Sequence, residues 1–317
     1  MRILSILARH GREKYAGALA DLRAFQATRL ASARCDLLVV DNAPGPLAIE
    51  PGDPETIPAS DADREFSAWQ AGLAHVGAAG LLRYDLVHLV TSAFRVLHSR
   101  YVDRCDARAL RRIVGARVAV GHVDYYDDPV ELLGARSQHW LRSSFLFLPP
   151  AELLALGPLA GIRDGAPFFS GDPARPFRPG APLSVRYQRY LVDWLTGPGT
   201  GQGTEWHSRF ALTEATLPFF EAKALAIMNE HLLAIRLRER GNTLVDATWL
   251  ATWVARHAWW PRRPAIPDWT EQLARRDQDA VVVAAGARQA GAGVTQPRPP
   301  APAPASAGAP ARSGRTA

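Results

Sequence analysis

Apolar and polar positions along the first part of the chain switch repeatedly between two periods. Arg2 to Ala8 is an apolar run of strand length, Ala16 to Leu30 has helical composition, and Asp36-Leu-Leu-Val-Val-Asp41 has the pattern of a buried strand. A strand, a helix and a strand at this spacing predict a right-handed βαβ unit and a parallel sheet. Pro44, Gly45 and Pro46 break the chain, and a polar, acidic loop is predicted to about Asp63. Glu65 to Val76 predicts a helix with Phe66, Trp69, Leu73 and Val76 on one face. Strands are predicted over Tyr84–Val90, Ala116–Val123 and Ser143–Leu148, with a helix over Ala107–Val114. Residues 1–150 therefore predict a Rossmann-like α/β layer of the nucleotide-binding kind.

The texture changes after Gly157. Residues 161–182 are rich in Gly and Pro and predict a long loop or flap. Helices are predicted over Ser184–Leu195, from Thr213 and Glu214 to about Arg240, and over Ala247–His257; Gly241-Asn242 stops the second. Residues 151–275 thus read as a mainly helical part of the same domain. Residues 286–317 are rich in Ala, Pro and Gly and are expected to be a disordered tail. No internal repeat is evident.

Composition narrows the class. With 47% hydrophobic and 21% charged residues, the chain has the balance of a soluble globular protein. Four arginines (Arg288, Arg298, Arg312 and Arg315) follow the last acidic residue, Asp279; removing them from the net charge of +6 leaves about +2. A body so nearly neutral argues against nucleic acid as the partner. Cys35 and Cys105 form no Cys-x-x-Cys pair, which fits a reducing compartment. The run Ile3 to Ala8 is interrupted by Arg9, too early for a signal-peptide core, and no stretch approaches the ~20 apolar residues of a membrane span. The expected location is the cytoplasm, with peripheral contact at the inner face of the membrane left open.

Several short groups of residues have chemistry to offer. Asp41-Asn42 follows a buried strand, where ligands of open α/β sheets bind; the same pair also suits a turn. Glu65 lies in the first turn of its helix, where a carboxylate ordinarily offsets the helix dipole. Thr91-Ser92 could hydrogen-bond phosphate or sugar oxygens, or cap a turn. Asp124-Tyr-Tyr-Asp-Asp128 could hold a divalent cation, with a solvated acidic loop as the commoner outcome for such a run. Arg142, within Trp140-Leu-Arg-Ser-Ser-Phe-Leu-Phe147, could grip a phosphate through two prongs or sit on a strand edge. Gly197-Pro-Gly-Thr-Gly-Gln-Gly203 lacks the Gly-Lys-Ser/Thr of a phosphate loop and reads better as a mobile closing loop. His207 is a candidate metal ligand or proton carrier. Glu230 could serve as a general base, although locally its helix reads as solvated, with Arg236, Arg238 and Arg240 facing water.

The order of these groups carries more than any one of them. Asp41-Asn42, Glu65-Phe-Ser-Ala-Trp-Gln-Ala-Gly72, Thr91-Ser92-Ala-Phe94, Trp140 to Phe147, Tyr190-Leu-Val-Asp-Trp-Leu-Thr-Gly197 with Trp206-His207, and Glu230-His-Leu-Leu together resemble GT-A-type glycosyltransferases. The resemblance is to those of bacterial rhamnan and other surface-polysaccharide synthesis and covers roughly residues 1–250. It implies a nucleotide-diphosphate sugar as donor, a saccharide or lipid-linked acceptor, and inverting displacement at the anomeric carbon. Asp41 and Asn42 match the nucleotide-binding turn, and Glu230 matches the acidic residue that serves as base. Thr91-Ser92 falls where relatives carry the acid that meets the metal-bound diphosphate, so the Mn2+ or Mg2+ of the family lacks its usual carboxylate here. The expected donor-site residues are thus Asp41, Asn42, Glu65, Thr91, Ser92 and Arg142. The missing acid also motivates an alternative: a catalytically inactive, glycosyltransferase-like binding protein in a polysaccharide assembly complex.

Overall fold

The computed structural model describes residues 1–11, 13, 15–43, 45–47, 49, 52–96, 101–197, 210–257 and 263–276. Met1–Arg276 forms one compact unit. The predicted tail, 286–317, lies outside the described residues, as do Pro198 to Gly203 and His207.

The opening unit has the predicted order: β1 (Arg2–Arg9), α1 (Ala18–Arg29) and β2 (Arg34–Asp41), the two strands pairing in parallel from Arg2↔Arg34 to Arg9↔Asp41. After it come β3 (Thr56–Pro58), α2 (Glu65–Leu81), β4 (Leu86–Thr91), α3 (Ala107–Arg111), β5 (Val118–Gly121), β6 (Val123–Leu132), β7 (Ala135–Leu141) and β8 (Phe145–Leu148). The remainder holds α4 (Pro150–Leu156), α5 (Val185–Thr196), α6 (Leu217–Glu239), β9 (Thr243–Asp246) and α7 (Ala247–Arg256).

A seven-stranded sheet has the order β3-β2-β1-β4-β8-β5-β9. Only β8 runs antiparallel to its neighbours, so the sheet is mostly parallel, as a Rossmann-like layer requires. Side-chain alternation along each strand feeds two cores. Leu4, Ile6, Leu89, Leu146 and Leu244 pack against α2, α4 and α6. Ile3, Leu7, Val90, Phe147 and Val245 pack against α1, α3 and α7. The sheet is thus buried on both faces, which explains the near-continuous apolar runs of its central strands. Gly72 marks how closely α2 approaches: a Cβ there would lie 2.7 Å from Cγ2 of Ile6 and 3.1 Å from Cγ2 of Val40.

Four sequence expectations are corrected. The acidic loop before Asp63 contains β3, an edge strand that tolerates Pro58 because its outer side needs no ladder donor. Asp124 to Asp128 is no solvated loop; it lies in β6, which pairs with β7 as a separate hairpin. Residues 161–182 are irregular as expected but do not form a loose flap. Ile162, Phe168, Phe169 and Phe177 are buried, and the Asn229 amide holds the segment through the Gly161 and Ile162 N–H groups and the Ile162 carbonyl. Arg240 is exposed as expected, but Arg236 and Arg238 of α6 do not face water. Arg236 donates to the carbonyls of Leu156 and Pro158, and Arg238 to the His139 carbonyl and the Ser137 hydroxyl.

Candidate functional site

The carboxyl ends of β1, β2, β4, β5 and β9 share one edge of the sheet, as the pairings Arg9↔Asp41, Ala8↔Thr91 and Gly121↔Asp246 require. The start of antiparallel β8 joins them, because the Thr91 N–H donates to the Ser144 carbonyl. This edge collects most of the candidate residues.

Asp41 and Asn42 build its rim. One Asp41 oxygen accepts from Arg9 Nε at 2.8 Å, and the other from the N–H groups of Gly11 and Ala43 at 3.0 Å each. Burial opposes the charge of Asp41, but these donors hold its carboxyl below the usual range. Asn42 donates to Asp61 Oδ1 at 2.9 Å and to the Arg64 carbonyl at 3.0 Å, fixing the loop that enters α2. Arg64 itself has φ of +56°, a strained setting for a side chain of its length, immediately before Glu65. Asp41 and Asn42 are therefore engaged in shaping the rim that presents Glu65.

At the centre, Ser143 bridges two carboxylates. Its hydroxyl donates to Glu65 Oε1 at 2.9 Å and its backbone N–H to Glu230 Oε2 at 2.5 Å. Burial pushes the Glu230 carboxyl up to about 7; the Ser143 donors pull against that, while the negative charges of Glu65 and Asp124 add to it. A carboxyl at this value is poised to exchange a proton near neutrality. Around it stand Tyr126 and Tyr187, whose hydroxyls burial holds well above the usual phenol range, with Glu230 adding to the effect. Tyr187 is hydrogen-bonded to Nδ1 of His231, and Tyr190 stacks on Tyr126 with centroids 4.3 Å apart.

Arg142 supplies the cation. Its Nε is bonded to Asp124, which His122 also approaches at 3.5 Å. Burial works against the charge of Asp124, but the hydrogen bond from His122 and the charge of Arg142 hold its carboxyl well below the usual range. Among the described residues, the two terminal nitrogens of Arg142 have no protein partner, and neither do the hydroxyls of Thr91 and Ser92. His122 also lies 3.8 Å from Asp246, a fully buried carboxylate that accepts from the Val123 N–H and from Arg276, and caps α7 through the Thr248 and Trp249 N–H groups.

The cluster thus unites Glu65, Thr91, Ser92, Arg142 and Glu230, with Asp41 and Asn42 behind the rim. His207, the candidate metal ligand, falls outside the described residues. No group of three His, Cys, Asp or Glu side chains suited to a metal occurs among the described residues. The donor set explains this locally: the strand end offers hydroxyls, and Asp124 is committed to Arg142 and His122. The strand end itself therefore offers a Mn2+ or Mg2+ ion no uncommitted carboxylate. Sequence reasoning misses Ser143 as the bridge, and misses the Asp124–Arg142 pair although each residue stands out separately. A separate concave pocket of about 450 Å³, lined by Gly165, Phe169, Ser170, Glu221 and Leu225 among others, contains none of these residues.

No known protein family matches the chain, and no curated protein matches it. Among the described residues, no helix is long and apolar enough to cross a membrane.

Proposed function

We propose that this protein is a glycosyltransferase of GT-A type, moving a sugar from a nucleotide-diphosphate donor to a saccharide or lipid-linked acceptor with inversion. The observation that carries the reading is the position and basicity of Glu230. It sits at the carboxyl edge of a mostly parallel sheet, with its carboxyl raised to about 7 and the guanidinium of Arg142 close enough to interact electrostatically.

In the proposed reaction, Glu230 accepts the proton of the acceptor hydroxyl as that oxygen forms a bond to the anomeric carbon. The bond from that carbon to the diphosphate oxygen breaks, and its electron pair leaves with the nucleoside diphosphate. Arg142, through its terminal N–H groups, offsets the charge that develops there, and the hydroxyls of Thr91 and Ser92 donate to phosphate oxygens. Ser143 holds Glu230 in place, and Glu65, on the far side of that serine, contributes the second negative charge that keeps Glu230 basic. No step is assigned to a metal ion, because the residues at the strand end do not suit one.

A thermal-shift panel of nucleoside diphosphates and nucleotide-diphosphate sugars tests the donor site, since a ligand that binds only the folded state raises the melting temperature. At least one nucleotide sugar is expected to raise it, and the Arg142→Ala variant is expected to lose the shift. Absence of any shift across the panel overturns the reading.

A further inference from the structure

The surface charge of the chain is unevenly placed. All but two of its 37 basic residues are arginines, Lys14 and Lys223 being the exceptions. Four of them, Arg104, Arg108, Arg111 and Arg263, are exposed on the layer formed by α1, α3 and α7. Hydrogen bonds tie three of these to one face. Arg108 donates to the Val254 carbonyl in α7, Arg111 to the Ser32 carbonyl between α1 and β2, and Arg263 to the Val114 carbonyl after α3.

Those partners are carbonyl oxygens, so they orient the guanidinium groups without neutralising them. The carboxylates on this layer include Asp21 in α1 and Asp103 and Asp106 before α3. Asp103 pairs with Arg95; Asp106 caps α3 through the Ala109 N–H and lies 3.7 Å from Arg29. Asp103 and Asp106 are thus matched by Arg95 and Arg29, outside this group, so the four arginines set against Asp21 leave a surplus of about three charges here, larger than the +2 or so of the chain without its last four arginines. The remaining charges of that part of the chain therefore sum to slightly below zero. A field this one-sided orients the molecule toward an anionic plane.

We propose that this arginine face docks on a membrane surface rich in anionic lipid, with the guanidinium groups meeting headgroup phosphates. The aromatic side chains beneath it favour lipid over nucleic acid. Tyr101 and Trp249 are buried in the core, and Trp253 stacks on His257, so among the described residues these rings are not open to a base. The proposal stands apart from the glycosyltransferase reading: the face lies on the helices, and none of its arginines belongs to the Ser143 cluster.

Co-sedimentation of the full-length protein with vesicles tests it, using phosphatidylcholine alone and phosphatidylcholine mixed with phosphatidylglycerol. Binding is expected only to the mixed vesicles and is expected to weaken with added salt. Each arginine removed should lower the partition roughly five-fold, so Arg104→Gln, Arg108→Gln and Arg111→Gln together should lower it about 100-fold. The corresponding triple lysine variant keeps the charge and should retain most of the binding. If that variant also loses binding while its melting temperature is unchanged, charge is not what binds and the proposal fails. Equal binding to both vesicle types overturns it. So does loss of binding when only Arg288, Arg298, Arg312 and Arg315 are changed to Gln, or tighter binding to duplex oligonucleotide than to vesicles through the same three arginines.

Discussion

The backbone N–H of Ser143 meets the carboxylate of Glu230 at 2.5 Å, across 87 residues of chain. A backbone donor cannot be removed by changing the serine side chain, so the position of Glu230 is fixed by the path of the strand connection itself. The serine hydroxyl adds a second tie, to Glu65.

Glu230→Gln is expected to lower turnover by about 100-fold or more, the usual contribution of a positioned general base. Donor affinity should stay within a few-fold, because the amide keeps the shape and the Ser143 contact. Initial rates together with a binding titration check both halves.

The raised Glu230 carboxyl has a consequence for stability. Its folded value of about 7 lies above the ordinary 4.5, so the folded state holds this proton in a range where the unfolded chain has released it. The stabilisation is complete below about 4.5 and is lost as pH rises toward 7; on the linkage scale it amounts to at most about 3 kcal/mol. Asp124, whose carboxyl is held low, acts in the opposite sense: its contribution is present above the ordinary carboxylate range and lost in acid. Melting temperatures followed across this window should decline more in the wild type than in Glu230→Gln, whose amide does not titrate.

Arg142→Lys retains a charge but not the planar fork. Its Kd for the donor is expected to rise about ten-fold, as for the loss of one charge-assisted hydrogen bond. The protein should also be less stable, because Asp124 is left with a weaker partner. Calorimetric binding and urea unfolding separate the two effects.

Gly72→Ala tests the packing of α2. The added methyl group comes within 2.7 Å of Ile6, closer than side chains tolerate, and presses on Val40 at 3.1 Å, so Ile6 or the helix must shift. A loss of roughly 1–3 kcal/mol is expected in urea unfolding.

Some of this is legible in the amino-acid order, and the rest is hidden for physical reasons. β1, α1 and β2 are readable because apolar runs of strand length bracket a helical segment. The hairpin of β6 and β7 is not, because a bulge between Tyr125 and Val130 breaks the period of two: Tyr126 and Val130 are buried while Asp127 and Asp128 stand outward. β9 escapes notice as a four-residue strand directly after the Gly241-Asn242 stop. Glu230 and Arg142 stand out from their local motifs and their order. The link between Glu65 and Glu230 cannot be read, since Ser143 lies 78 residues from one and 87 from the other. Only the closing of the sheet edge brings them together.

The most direct measurement is release of nucleoside diphosphate from a panel of nucleotide-diphosphate sugars, with a lipid-linked or saccharide acceptor present, for the wild type and Glu230→Gln across the neutral pH range. The account predicts release by the wild type, with a rate that climbs as Glu230 ionises near pH 7 and then levels off, and little release by the variant although it still binds the donor. Equal rates for the two proteins, or a wild type that binds a donor and never releases diphosphate with any acceptor, would contradict it.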